Sequence, residues 1–311
     1  MYHAGSKSGA AAPVSGAFVV SWTMAIILKT PRPPELPEVA RTLGAWQLDW
    51  LPVQLHPGDL GWAWQIGARN LAARLRVWAR DGKMLAVGFQ DGASLLRVAI
   101  DPEASLDAEL AARIAADAAD PKRGVLPAGE ASVEARVGEA LRQSIKEAGW
   151  TPGELWTPLV RELGQPVEDP GLRLEVVGPN LAQTRVEVQN ASFGTSRFTL
   201  DRWHTMAAGP LYAQARRLLA YDAAGRAVAT ATVWSSGPGS PGLIEPMGVH
   251  RAHRGHGHGR AITLAAALCL QQLGSSTAVV CAESANKGAT ATYTAAGFKP
   301  FPVVADFHRG L

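Results

Sequence analysis

The chain has 311 residues, of which 47% are hydrophobic and 18% charged, and its formal net charge is +3. That balance suits two globular domains of ordinary size, each able to bury a core. The small, scattered positive charge, with no basic recognition helix or aromatic platform, argues against nucleic acid as a partner. No run reaches the roughly eighteen apolar residues that a membrane span needs.

At the N-terminus, "APVSGAFVVSWTMAIIL" faintly imitates a signal peptide, but Pro13 and Gly16 break it and no small-x-small cleavage site follows. The expectation is a disordered or extended segment over 1–40, with residues 1–23 an extension ahead of Met24. Three strands joined by turns at Asp81-Gly82 and Asp91-Gly92 are predicted across Leu75–Asp101. A helix in "SLDAELAARIAADAAD", a strand in "ASVEARV" and a helix in "GEALRQSIKEAG" follow. The Pro- and Gly-marked connection Leu163–Gly171 then separates two halves.

The order recurs after it. "LRLEVV" reads as a strand, and "NLAQTRVEVQNASF" and "TLDRWHTMAAG" as helices. A hairpin turning at Ala224-Gly225, the strand "GLIEPMGV", an apolar helix, the strand "STAVVCAE" and a last helix "NKGATATYTAAGF" complete the chain, before "KPFPVVADFHR". Both late helices close on Ala-Gly-aromatic, Ala148-Gly149-Trp150 and Ala296-Gly297-Phe298, which points to an internal duplication. Cys269 and Cys281 sit in apolar surroundings and read as reduced thiols of a cytoplasmic protein.

Chemistry concentrates in "VHRAHRGHGHGRAI", Val249–Ile262, which holds four of the eight histidines. Arginines crowd those histidines and no carboxylate lies among them, so a metal site is not expected. Gly255, Gly257 and Gly259 instead present bare amides ahead of an apolar helix, whose positive end favours an anion. Arg254 adds a fork suited to phosphoryl oxygens. A Rossmann site is excluded, because antiparallel hairpins precede the loop and too few residues follow it for the rest of such a sheet. In the first half the equivalent connection is "IDPEASLDAEL", whose Asp101, Glu103, Asp107 and Glu109 would repel an anion.

The loop resembles the acyl-CoA pyrophosphate loop of the GNAT acyltransferase superfamily, Arg/Gln-x-x-Gly-x-Gly/Ala, with Arg254, Gly257 and Gly259 on its fixed positions. "NKGATATYTAAGF" is similar to that family's last helix, through Asn286, Ala289, Tyr293 and Gly297-Phe298; Arg251 departs from the proline often found there. The resemblance is specific over 171–305 and architectural over 40–165. It implies an α/β (α+β) tandem GNAT fold of two mixed, mostly antiparallel sheets flanked by helices. The domains would be a degenerate one over 41–165, without a cofactor loop, and a catalytic one over 171–311. Mycothiol synthases and the N-acyltransferases of lipoglycopeptide pathways are tandem members of this kind.

The resemblance further implies acetyl-CoA or a longer acyl-CoA as co-substrate, without a metal. Its binding residues would be Met247, Gly248, Val249, Arg254, Gly255, His256, Gly257, His258, Gly259, Arg260, Asn286 and Lys287, with Lys287 and Arg260 toward the 3′-phosphate. Pro246, unable to donate to a ladder, should splay the strand and free the amide of Met247 or Gly248. Tyr293 falls where the family places the acid for the departing thiolate. Two bases are open: Glu245, on the face of Met247 and Val249 by two-residue alternation, and His204, whose ordinary pKa suits proton abstraction. The expected acceptor is a small-molecule amine, an amino sugar of a glycopeptide-type natural product by analogy. A non-catalytic acyl-CoA-binding module and a protein lysine acetyltransferase are the competing functions.

Overall fold

The structure, a computed structural model, describes residues 1, 25–194 and 198–310. The extension over 1–23 therefore falls almost wholly outside the described residues. The rest of the segment expected to be extended does not: Ile27–Lys29 is a strand and a helix begins at Leu36. Leu36, Val39 and Leu43 are fully buried in the first-half core, an i, i+3, i+7 stripe that the preceding proline-rich run masked.

The first half runs β1 (Ile27–Lys29), α1 (Leu36–Ala45), α2 (Pro57–Ala63), α3 (Ala68–Ala73), β2 (Leu75–Arg80), β3 (Lys83–Gln90), β4 (Leu95–Ile100), α4 (Ala108–Ala119), β5 (Ala131–Ala135), α5 (Glu139–Glu147) and β6 (Thr151–Glu162). The second repeats it: β7 (Arg173–Val176), α6 (Ala182–Phe193), α7 (Leu200–Ala207), β8 (Ala215–Tyr221), β9 (Ala227–Trp234), β10 (Gly242–Val249), α8 (His258–Gln272), β11 (Thr277–Glu283), α9 (Lys287–Ala295), β12 (Lys299–Pro300) and β13 (Val304–Arg309). Local chemistry sets many of the ends. Asp81 and Gly82 take positive φ in the β2–β3 turn. The Asp107 carboxylate accepts from the Leu110 amide at 2.9 Å to cap α4, and Asn286 caps α9 through the Ala289 amide.

The mixed strands flanked by helices are as expected, but they form one sheet rather than two. Its order is β1-β2-β3-β4-β5-β13-β6-β11-β10-β9-β8-β7, with β12 on β6. The sequence is palindromic about its centre because the halves exchange their last strands. β6 of the first half pairs with β11 of the second, and β13 of the second pairs with β5 of the first. A boundary over 163–171 therefore divides the sequence but not the hydrogen-bonded ladder. Strand β6 was hidden by Pro152, Gly153 and Pro158, residues that ordinarily argue against a strand. Pro158 needs no amide here, and its carbonyl still accepts from Phe301.

Helix α2 locks the halves together on the other side. A Cβ on Gly61 would stand 2.3 Å from the Trp234 ring, and one on Gly58 would stand 2.5 Å from it, so only glycine admits this approach. The apolar helix α8, buried along most of its length, lies in the second-half core. Among the described residues, no helix is long and apolar enough to cross a membrane.

Candidate active site

Strand β10 carries the irregularity that Pro246 predicts. Its register against β9 shifts between Ile244 and Met247, and its parallel pairing with β11 stops after Gly242 and Leu243. The two central strands fork from there. The His250 amide donates to the Val228 carbonyl at 2.9 Å. Two-residue alternation then turns the amides of Met247 and Val249 to the open side of the fork, and that of Gly248 to β9. Of the two amides expected to be free, that of Met247 is therefore the unpaired one.

The glycine loop leads directly into α8. Gly255 and Gly257 both have φ of 80°, in the left-handed region, and Gly257 is the N-cap. The first helical bond runs from Ala261 N–H to Gly257 O. The amides of His258, Gly259 and Arg260 are thus left without helical acceptors at the positive end of a 15-residue helix. Gly259 passes close to α9, where a Cβ would meet Thr292 Cγ2 at 2.9 Å.

Several predicted ligands have other duties. Arg254 donates to Ser192 O at 2.6 Å and Arg251 to Ala191 O at 3.2 Å, so both pin the end of α6 to the loop. Arg260 donates to Ala295 O at 2.9 Å, at the far end of α9, and pairs with Glu168. Lys287 begins that helix and donates to Ser284 O. The two cations lie at opposite ends of α9. The histidines pair as rings, His250 with His253 at 5.1 Å and His256 with His258 at 5.9 Å. Among the described residues, no cluster of three or more histidines, cysteines or carboxylates could hold a metal ion.

The fork opens into a cavity of about 300 Å³ lined by Glu245, Met247 and Tyr293 and by Asp91, Arg97, Glu134 and Arg136 of the first half. Burial, reinforced by Asp59 and opposed by Arg97, pushes the Glu245 carboxyl up to about 7. Tyr293 is buried, with 7% of the residue exposed; burial, then Glu245 and Cys281, raise its pKa and keep the phenol protonated. Cys281 also faces the cavity, and burial lifts its thiol to about 11, which rules against a thiolate nucleophile at neutral pH. His204 is not there. It is exposed on α7, edge-on to Trp203, and is not among the lining residues. Of the two bases considered, only Glu245 meets Tyr293.

The first-half wall was missed in the sequence. Arg97 and Glu134 are cross-strand neighbours on β4 and β5, 3.2 Å apart. Arg97 also reaches Asp59 at 2.9 Å, and Arg136 reaches Glu134 at 3.0 Å. Charged residues inside otherwise apolar strands, "LLRVAI" and "ASVEARV", were the available signal, because a charge is buried only when paired or useful.

The equivalent fork in the first half is closed. β4 and β5 stay paired from Leu95 to Val98. The Gln54 carboxamide bonds both the N–H and the C=O of Ile100, and Ser105 O accepts the Ala140 amide at the start of α5. Lys83 covers Asp101 and Glu103, and Arg80 covers Asp107 and Glu109.

The forked sheet thus offers a free strand edge that runs toward a bare helix start, where an anionic group is favoured. Residues 182–298 match the model described as Acetyltransferase (GNAT) family. The match covers the second half alone, and over the whole chain the fold is that of tandem GNAT proteins. The family takes its acyl group from acetyl-CoA or another acyl-CoA. A GCN5-related N-acetyltransferase from Sphaerobacter thermophilus is 21% identical, with a TM-score of 0.56 over 92% of this chain and 97% of its own. A tandem GNAT protein from the clavulanic acid biosynthesis pathway is 17% identical, with a TM-score of 0.58 over 91% and 98% of the two chains. A GNAT-family acetyltransferase from Colwellia psychrerythraea is 15% identical, with a TM-score of 0.58 over 93% and 100%. At these identities the likeness is one of fold. Among curated protein sequences, none matches the chain.

Proposed function

We propose that this protein transfers an acyl group from coenzyme A to a primary amine of a small molecule, by direct attack while both substrates are bound. The observation that carries the reading is the meeting of Glu245 and Tyr293 in one cavity, at the fork of β10 and β11. The thioester, when bound, supplies the activated acyl carbon; the amides opening α8 and the free edge of β10 are the groups that would hold it. Their fit rests on the uncapped amides after Gly257 and the unpaired strand edge beyond Leu243.

Glu245, with its pKa near 7, takes the proton from the acceptor ammonium, directly or through water. The Met247 amide donates to the carbonyl oxygen as negative charge grows there. Tyr293, kept protonated by burial, gives its proton to the departing sulfur. A glucosamine N-acetyltransferase region in a fungal β-N-acetylglucosaminidase, 15% identical with a TM-score of 0.52, favours an amino sugar among possible acceptors. The test is thiol release from acetyl-CoA and decanoyl-CoA with a panel of amines. Amine-dependent release supports the reading, whereas binding of the thioester without release makes the protein a carrier or sensor.

A further inference from the structure

The cavity at the fork has a charge imbalance. Asp59, Asp91, Glu134 and Glu245 line it on the acidic side, against Arg97 and Arg136 on the basic side. Both guanidinium groups already have carboxylate partners, although Arg136 Nε is buried without one. Arg97 lies 2.9 Å from Asp59 and 3.2 Å from Glu134, and Arg136 lies 3.0 Å from Glu134 and 3.2 Å from the Val53 carbonyl. Two carboxylates are only weakly compensated. Glu245 has no ion-pair partner among the described residues, and Asp91 has only Arg97, at 3.6 Å.

The surplus faces a space that is built for a ligand. Tyr293, a residue more than nine-tenths buried, belongs to the cavity lining, and its hydroxyl has no hydrogen-bond partner among the described residues. The same lining carries apolar side chains, Leu95, Trp156 and Met247 among them. Asp91 stands in the β3–β4 turn with its side chain half exposed, where an incoming molecule can reach it. Burial raises its pKa, and a cation placed beside it would reverse that penalty.

We infer that the acceptor carries a second ammonium besides the one that is acylated, and that Asp91 of the first half binds it while Glu245 addresses the first. This deepens the acyltransferase reading and rests on it. The apolar side chains take the carbon skeleton that joins the two charges. The first half, whose own fork is closed, then serves as the specificity wall of the second, and amines bearing a carboxylate are repelled.

The test compares matched amines: cadaverine against pentylamine, and a diamino sugar against its monoamino counterpart, each with acetyl-CoA. Wild-type kcat/KM should favour the diamine by about tenfold, which is about 1.4 kcal/mol of discrimination. In Asp91→Asn the ratio should fall to about one, and Asp91→Glu should restore most of it. Which pair shows the larger ratio separates a linear from a sugar skeleton. Calorimetric binding of the same pairs to the protein with coenzyme A reads the preference without turnover, so a failure of catalysis and a failure of the charge argument are distinguishable. Equal kcat/KM and equal affinity for diamine and monoamine would overturn the inference. So would a preference that survives in Asp91→Asn, or a lysine peptide outcompeting every diamine.

Discussion

Replacing Glu245 by Gln should cost activity and yield stability, and the balance should depend on pH. Burial and the neighbouring carboxylates lift Glu245 from an ordinary 4.5 to about 7 in the folded protein. A carboxyl whose pKa is higher folded than unfolded favours the fold fully below about 4.5. That contribution is lost as pH rises through about 7. The gap of about 2.5 units corresponds to roughly 3 kcal/mol between pH 4 and pH 8. Glutamine has the shape of the neutral acid and no such slope. At pH 8 Glu245→Gln should therefore melt higher than wild type by about 5 °C for a chain of this length unfolding as one unit, and at pH 4 to 5 the two should converge. Calorimetric melting curves at several pH values measure this. In parallel, wild-type kcat/KM should rise about tenfold per pH unit up to roughly pH 7 and then level. A difference in melting temperature that is the same at pH 5 and pH 8 would refute the claim that Glu245 is buried at a cost.

Tyr293→Phe removes the proposed acid, and turnover should fall by about a hundredfold or more while coenzyme A affinity by calorimetry stays near wild type. His204→Ala, outside the cavity, should keep wild-type kcat/KM in the same thiol-release assay; a large loss would return His204 to the mechanism. Gly257→Ala forces a Cβ onto a φ of 80°, a strain of about 1–2 kcal/mol, so both coenzyme A affinity and melting temperature should drop. Gly61→Ala pushes against Trp234, whose indole N–H donates to the Glu245 carbonyl at 2.6 Å. Overpacking there should cost about 1–3 kcal/mol in urea denaturation and disturb turnover at a site on the other half.

Residues whose role depends on their chain neighbours were readable in one dimension. The turns at Asp81-Gly82 and Asp91-Gly92, the cap at Asn286, the glycine loop before α8 and the irregularity at Pro246 all follow from backbone chemistry over a few residues. The alternation that places Glu245 with Met247 also survived, because both line the cavity despite the register shift between them. His204 was a fair candidate by residue type alone, yet the face of α7 that carries it points to solvent. Arg260 and Lys287, named together as residues toward one phosphate, stand at opposite ends of α9.

Periodicity, glycine placement and proline chemistry were enough to read the duplicated α/β plan, the glycine loop ahead of a bare helix start and the irregular strand at Pro246. These are local properties, set by which φ values a residue tolerates and which amides a helix start leaves bare. Folding alone decided that β6 and β13 change places, that the two sheets are one, and that Asp59, Asp91, Arg97 and Glu134 confront Glu245 across the fork. Those contacts join residues more than a hundred positions apart, and their energy comes from burying paired charges and apolar faces together, which no short stretch of chain encodes.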